Sequence, residues 1–212
     1  MKKIVLSLVL FASVLTACKE NKKDKVKVKE AVKVAVNVAE LNNVDISASV
    51  LNWKGDKPTG SHNGTVALKS GGILVEDGKL TQGEFILDMT SIVNIDMKGS
   101  DGAGKIEGHL KSVDFFDVAT YPMSKFVITS VEDKGDKVHV TGNLNIKDVT
   151  KSITIPATIS TENGVTTFTS ETFSVDRTDF GITYKSKKID AAIKDKFIND
   201  LMEMSFVVKT KS

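Results

Sequence analysis

Several residue types are scarce in this chain. Its 212 residues include one cysteine, three prolines, three histidines, one tryptophan and two tyrosines. A single cysteine excludes an internal disulfide framework, so the body of the protein has to fold on its core alone. The histidines, His62, His109 and His139, stand far apart without HxxxH spacing or a cysteine partner, so no metal site is expected. There is no G-x-S-x-G elbow, no glycine-rich phosphate loop and no cysteine nucleophile, so no catalytic residue is assigned and no enzyme is expected. An excess of charge is lacking too. The formal net charge is +2, which argues against a general nucleic-acid surface. No apolar run reaches the length of a membrane span.

What is present begins with a targeting signal. Lys2 and Lys3 precede the short apolar run Ile4 to Val14, and Leu15-Thr16-Ala17-Cys18 follows. Those four residues resemble a bacterial lipobox, which implies cleavage before Cys18 and acylation of its thiol. Two or three acyl chains anchor stably where one does not. An ordinary secretory peptide with a chance cysteine is the alternative. The expected divisions are a lipoprotein signal peptide over 1–17, lipidated Cys18 with a Lys-rich tether over 18–42, and a body over 43–212. The expected location is the bacterial cell envelope, anchored in the outer membrane and facing the periplasm.

Residues 19–40 hold seven lysines against four acidic residues, while 41–212 are slightly acidic. The valines at 26, 28, 32, 34, 36 and 38 suggest a strand, and the alanines suit a helix. A flexible stalk of this length would hold the body roughly 25 Å from the membrane.

The body alternates. Val44 to Val50, Leu80 to Met89, Lys137 to Lys147, Ser152 to Ser160 and Leu201 to Lys209 each put apolar residues on one face and polar residues on the other. Gly71-Gly72, Asp77-Gly78 and Asn163-Gly164 read as turns, the last leading into a strand over Val165 to Val175. Ser91 to Ser112 loses alternation and reads as loop plus short helix. Phe115 and Phe116 follow, and Pro122 marks the switch back to strand, since proline disfavours helix before it and cannot donate to a ladder. Ala191 to Asp195 adds a helical turn. About eight antiparallel strands of this kind close as a barrel or pack as a sandwich. An eight-stranded barrel is wide enough to fill itself or to hold one small ligand, and alternation does not separate the two.

Several stretches together are recognisable. Val50 to Gly55, Gly60-Ser61-His62-Asn63-Gly64, Asp88-Met89-Thr90-Ser91-Ile92, Gly108-His109-Leu110-Lys111-Ser112 and Asp114-Phe115-Phe116-Asp117 resemble the YceI-like family. So do Thr141-Gly142-Asn143-Leu144, Asp148 to Lys151 and Asp176 to Ile182. The resemblance runs in order across 43–209. It implies an all-β fold with a short helical excursion, an extended antiparallel eight-stranded lipocalin-like β-barrel. It also implies a periplasmic protein that binds a polyisoprenoid or another long-chain lipid in an apolar pore, with no other cofactor.

The apolar pore candidates are Phe85, Leu87, Phe126, Ile128, Val140, Leu144, Phe173, Met204 and Phe206 on the strands, each of which would also serve as plain core. Phe115 and Phe116 are further pore candidates, expected to cap or gate the pore with ligand contact by at most one of the pair. His62 and His109 are polar candidates for its mouth, or structural hydrogen-bonding groups. Arg177, with Asp176 and Asp179, either meets a phosphate headgroup or locks the corner through local ion pairs, the latter being favoured. The expected partners are a lipid ligand and the membrane holding acylated Cys18. A scaffold lipoprotein for envelope stress or protein interactions, without lipid transport, is the competing function.

Overall fold

The computed structural model describes residues 25–33 and 41–212; the expected signal segment and Cys18 lie outside the described residues. In chain order the strands are β1 (Lys29–Glu30), β2 (Val50–Lys57), β3 (Gly60–Glu76), β4 (Lys79–Asp88) and β5 (Val93–Asn94). The helix α1 (Asp101–Lys111) and β6 (Met123–Asp133), β7 (Val138–Ile146) and β8 (Val149–Glu162) come next. The last are β9 (Val165–Ser170), β10 (Phe173–Asp176) and β11 (Leu201–Lys209).

Eight of these strands close into an antiparallel barrel, as expected. The ladder runs β2-β3-β4-β6-β7-β8-β9-β11 and returns from β11 to β2. Where the eight strands close, their pairing covers the edges that an open sheet would have to protect. Alternation sets the side-chain directions: along β7, Val140, Leu144 and Ile146 are buried while their neighbours are half-exposed.

Several local features differ from the sequence reading. Val44 to Val50, expected as a strand, makes only an isolated bridge from Val44 to Thr210 and then turns at Ile46 and Ser47, where the Asp45 carboxylate accepts from the Ser47 amide (2.9 Å), so the strand opens only at Val50. Gly71-Gly72 is not a turn but lies inside the long strand β3, beside a register shift in its pairing with β4. Gly71 has φ +151°, and a Cβ on Gly72 would stand 2.7 Å from Leu41 Cα, so glycine is demanded by close approach rather than by a reversal. The strand expected over Val165 to Val175 breaks at Glu171-Thr172, where the Glu171 amide donates to the Pro156 carbonyl (2.9 Å). Beyond the break β10 stays paired with β11 but leaves β8, which opens a tapering seam in the wall.

The seam is filled by residues 25–33 of the expected tether, a further difference. The Val26 amide donates to the Ser174 carbonyl of β10 (2.9 Å), and β1 pairs with Lys151 and Ser152 of β8. Val26 is buried and Val28 packs on the core between the two strands. Val32 exchanges two hydrogen bonds with the Asn143 amide, at 3.0 and 2.6 Å. Residues 25–33 are therefore part of the wall, not a solvated stalk. The period-two valines at 26 and 28 carried that signal.

Candidate functional site

The barrel interior divides into a packed end and a hollow end. At the packed end Phe85 stands between Phe126 and Phe168, with ring centroids 6.2 and 5.3 Å away. Phe206 lies 5.6 Å from Phe85 and 5.7 Å from Phe126, and Phe173 stacks on Phe206 at 6.1 Å. Such spacings are those of favourable aromatic pairs. Ile128 and Val140 are also buried. Phe206 and Phe173 close this floor on its upper side, where both border a cavity.

The cavity fills the other end, with a volume of about 230 Å³. Its walls are overwhelmingly apolar. Of the residues singled out from sequence, Leu87, Leu144, Phe173, Met204 and Phe206 line it from the strands, and Phe115 and Phe116 line it from the excursion. Phe85, Phe126, Ile128 and Val140 do not border it; they belong to the packed end. Whether the barrel is filled or hollow thus has a divided answer, which alternation along single strands could not carry.

The roof comes from α1 and the turns after it. The Ser100 hydroxyl caps the helix by accepting from the Ala103 amide (3.3 Å). Ile106, His109 and Leu110, at helical spacing, turn one face to the cavity. Phe115 and Phe116 follow in a run of turns that ends at Pro122, whose carbonyl accepts from the Met89 amide (3.0 Å). Phe115 is buried, Phe116 half-buried. Sequence reasoning missed Ile106 and Leu110, because three glycines in the helix blur its apolar stripe, and it missed Ile198, which the 177–200 segment brings to the rim.

All three polar candidates border the cavity. His62 Nδ1 lies 2.9 Å from Asp96 Oδ2. The Asp96 carboxyl also accepts from the Asn63 amide, which contributes most to holding it down at about 2, with His62 and Asn94 adding to the effect. His109 Nε2 lies 3.0 Å from Asp114 Oδ2, and its ring meets Phe115 and Tyr184 edge-on.

Arg177, the chain's only arginine, is 1% exposed and locked. Its guanidinium donates to the carbonyls of Asn199 (3.2 Å), Ile182 (3.0 Å) and Ile198 (3.0 Å) and pairs with Asp200 (3.0 Å). It also lies 5.8 Å from the Phe115 ring centroid. Burial pushes its proton affinity down, against the opposing pull of Asp200 and Asp176. Arg177 thus locks the corner, but its close ionic partner is Asp200, not Asp176 or Asp179. Those two hold Lys25. Asp176 meets Lys25 at 3.0 Å and Lys188 at 2.5 Å, and Asp179 meets Lys25 at 3.3 Å. Burial alone would raise the Asp176 carboxyl; the bonds from Lys188, Thr178 and Lys25 outweigh it and hold it far below the usual carboxylate range.

Among the described residues no group of three or more His, Cys, Asp or Glu is placed to hold a metal ion. None of the described helices is long and apolar enough to cross a membrane.

Solved structures share this architecture. Burkholderia cenocepacia BcnA superposes with a TM-score of 0.64 at 21% identity, over 80% of this chain and 100% of that one. A polyisoprenoid binding domain from Saccharophagus degradans, implicated in plant cell wall breakdown, gives 0.61 at 16% identity, over 82% and 99%. At these identities the likeness is one of fold. A UPF0312 protein of Pseudomonas putida is 37% identical over 101 residues, 43% of this chain and 53% of the relative, so the match spans about half the length of that relative. The Salmonella arizonae protein YceI is 45% identical over 49 residues, 23% of this chain and 26% of that one. The YceI-like domain model matches residues 42–210, which takes in the whole closed barrel and its roof, and the chain belongs to that family.

Proposed function

We propose that this protein binds a long-chain lipid of the polyisoprenoid type without transforming it, and that acylated Cys18 holds it in the outer membrane, facing the periplasm. The observation that carries the reading is the apolar cavity at the hollow end, roofed by α1 and floored by Phe173 and Phe206. Each methylene placed there contributes about 0.8 kcal/mol of transfer from water, so affinity does not need a charged headgroup site. The locked guanidinium of Arg177 is consistent with this. The S. degradans neighbour, described as a polyisoprenoid binding domain, supports the ligand class.

The cavity also refines the ligand's pose. At about 230 Å³ it lies below the roughly 300–1,000 Å³ of ordinary ligand pockets. The packed floor blocks passage through the barrel. One end of the chain enters to the level of Phe206, and the remainder leaves under α1.

Mass spectrometry of organic extracts from the purified protein tests the reading. A stoichiometric long-chain lipid is expected; a protein that carries none and takes up none when offered polyprenols refutes it. Cys18→Ala should shift the protein from the membrane to the soluble fraction, and retention in the membrane would refute acylation there.

A further inference from the structure

The first described residue of the tether, Lys25, lies at the same end as the cavity mouth, beside the cavity-lining Arg177. Lys25 is fixed there by Asp176 and Asp179, and its chain neighbour Val26 is buried in the seam. Six residues separate Lys25 from Cys18, a span of seven residue steps. Fully extended, seven residues reach about 25 Å. A free stalk over 19–40 would let the barrel present any face to the bilayer; a stalk docked at Lys25 does not.

The segment beside Lys25 has an unusual surface. Asp176, which holds Lys25, also holds Lys188, and Ile189 follows directly. Ile189 is 64% exposed, a large apolar side chain in open solvent. Around it, residues 184–197 carry five lysines against two aspartates. Lys185 and Lys187 lie over the rings of Tyr184 and Phe197, 5.3 and 5.1 Å from their centroids. Two residues farther on, Asn199 lines the cavity. The other flank of the mouth differs: residues 95–122 hold three lysines against five acidic residues, so of the two flanks the one beside Lys25 is the lysine-rich one.

We infer that residues 184–197, with Ile189 at the tip, dock on the anionic lipid surface of the membrane that carries the anchor and turn the cavity mouth towards it. The inference rests on the anchored lipid-binding reading above. Lysines attract anionic headgroups and an apolar tip enters the headgroup boundary, a pairing typical of interfacial segments. With the mouth against the bilayer, a lipid passes between membrane and cavity without exposing its chain to water.

The test uses the full acylated chain reconstituted in phosphatidylglycerol-containing vesicles. An environment-sensitive fluorophore is placed at Ile189→Cys, or at Asp136→Cys in the β6–β7 turn at the opposite end of the barrel. A blue shift and a severalfold rise in emission are expected at 189 and not at 136. Both should be lost in phosphatidylcholine vesicles, at high salt, and when Lys185, Lys187, Lys194 and Lys196 are changed to Glu. Emission at 189 as water-like as at 136, or unaffected by lipid charge, overturns the docking. Vesicle flotation separates the two readings. A chain that fails to float refutes the anchor, whereas one that floats with its 189 label in water refutes only the docking.

Discussion

Phe85 and Leu144 are both buried inside the barrel on regularly alternating strands, yet their surroundings are opposite. Phe85 is enclosed by Phe126, Phe168 and Phe206, while Leu144 borders open space. The packed end behaves as a conventional core, in which every ring has neighbours and added or removed volume is felt at once. The hollow end has lining side chains with partners on one side only, so part of their packing energy is forgone. A lipid chain can restore those missing contacts. The floor makes the structure stable, and the space above it makes the structure useful.

The largest effect should come from emptying the floor. Phe85→Ala removes a fully buried ring that touches three others, and a loss of about 3–5 kcal/mol in chemical denaturation is expected. A cost below about 1 kcal/mol would mean that the two ends do not differ as described. Overfilling the floor comes second. A Cβ on Gly142 would meet the Phe126 ring and stand 2.8 Å from the Val127 carbonyl. Gly142→Ala should therefore cost about 1–3 kcal/mol, measured in the same way.

The third test reverses the sign of the comparison. Met204 lines the cavity, so Met204→Phe adds volume where there is room for it. Stability should change by less than about 1.5 kcal/mol, while the extractable lipid falls sharply, because the side chain occupies the ligand's place. If this variant unfolds as readily as Gly142→Ala, the cavity is not space available to a ligand.

Much of this division was only partly legible in the sequence. Alternation along Leu80 to Met89 and Lys137 to Lys147 identifies inward residues correctly, because period two is a property of the pleat. It says nothing about the level of each residue along the barrel axis. Phe85 and Leu87 are two residues apart on β4, and one is floor while the other is cavity wall. That difference is made by cross-strand neighbours such as Phe126 on β6 and Phe206 on β11, which a single stretch of sequence does not display. The motif around Asp176 and Arg177 was visible, but its pairing was not. Arg177 turns to Asp200, more than twenty residues onward, and Asp176 turns to Lys25, far back in the tether. Gly71-Gly72 looked like a reversal because close approach by Leu41 imposes the same residue choice as a tight turn.

The smallest effect belongs to the rim of the hollow end and depends on pH. Asp96 accepts from the Asn63 amide (2.8 Å), from Asn94 Nδ2 (2.7 Å) and meets His62 Nδ1, which together hold its carboxyl at about 2. A depressed carboxyl value means that the folded state favours the ionised form. Its stabilisation is therefore complete above the ordinary value near 3.8 and is lost as pH falls towards 2. Asp96→Asn should cost about 0.5–1 kcal/mol at pH 7, discounted for partial exposure. The gap between variant and parent should hold steady down to about pH 4 and narrow below it. Denaturation curves at pH 7, 5, 4 and 3 measure that gap. A gap still undiminished at pH 3 would show that shape rather than the carboxylate's charge organises this rim, leaving the mouth as insensitive to pH as the aromatic floor.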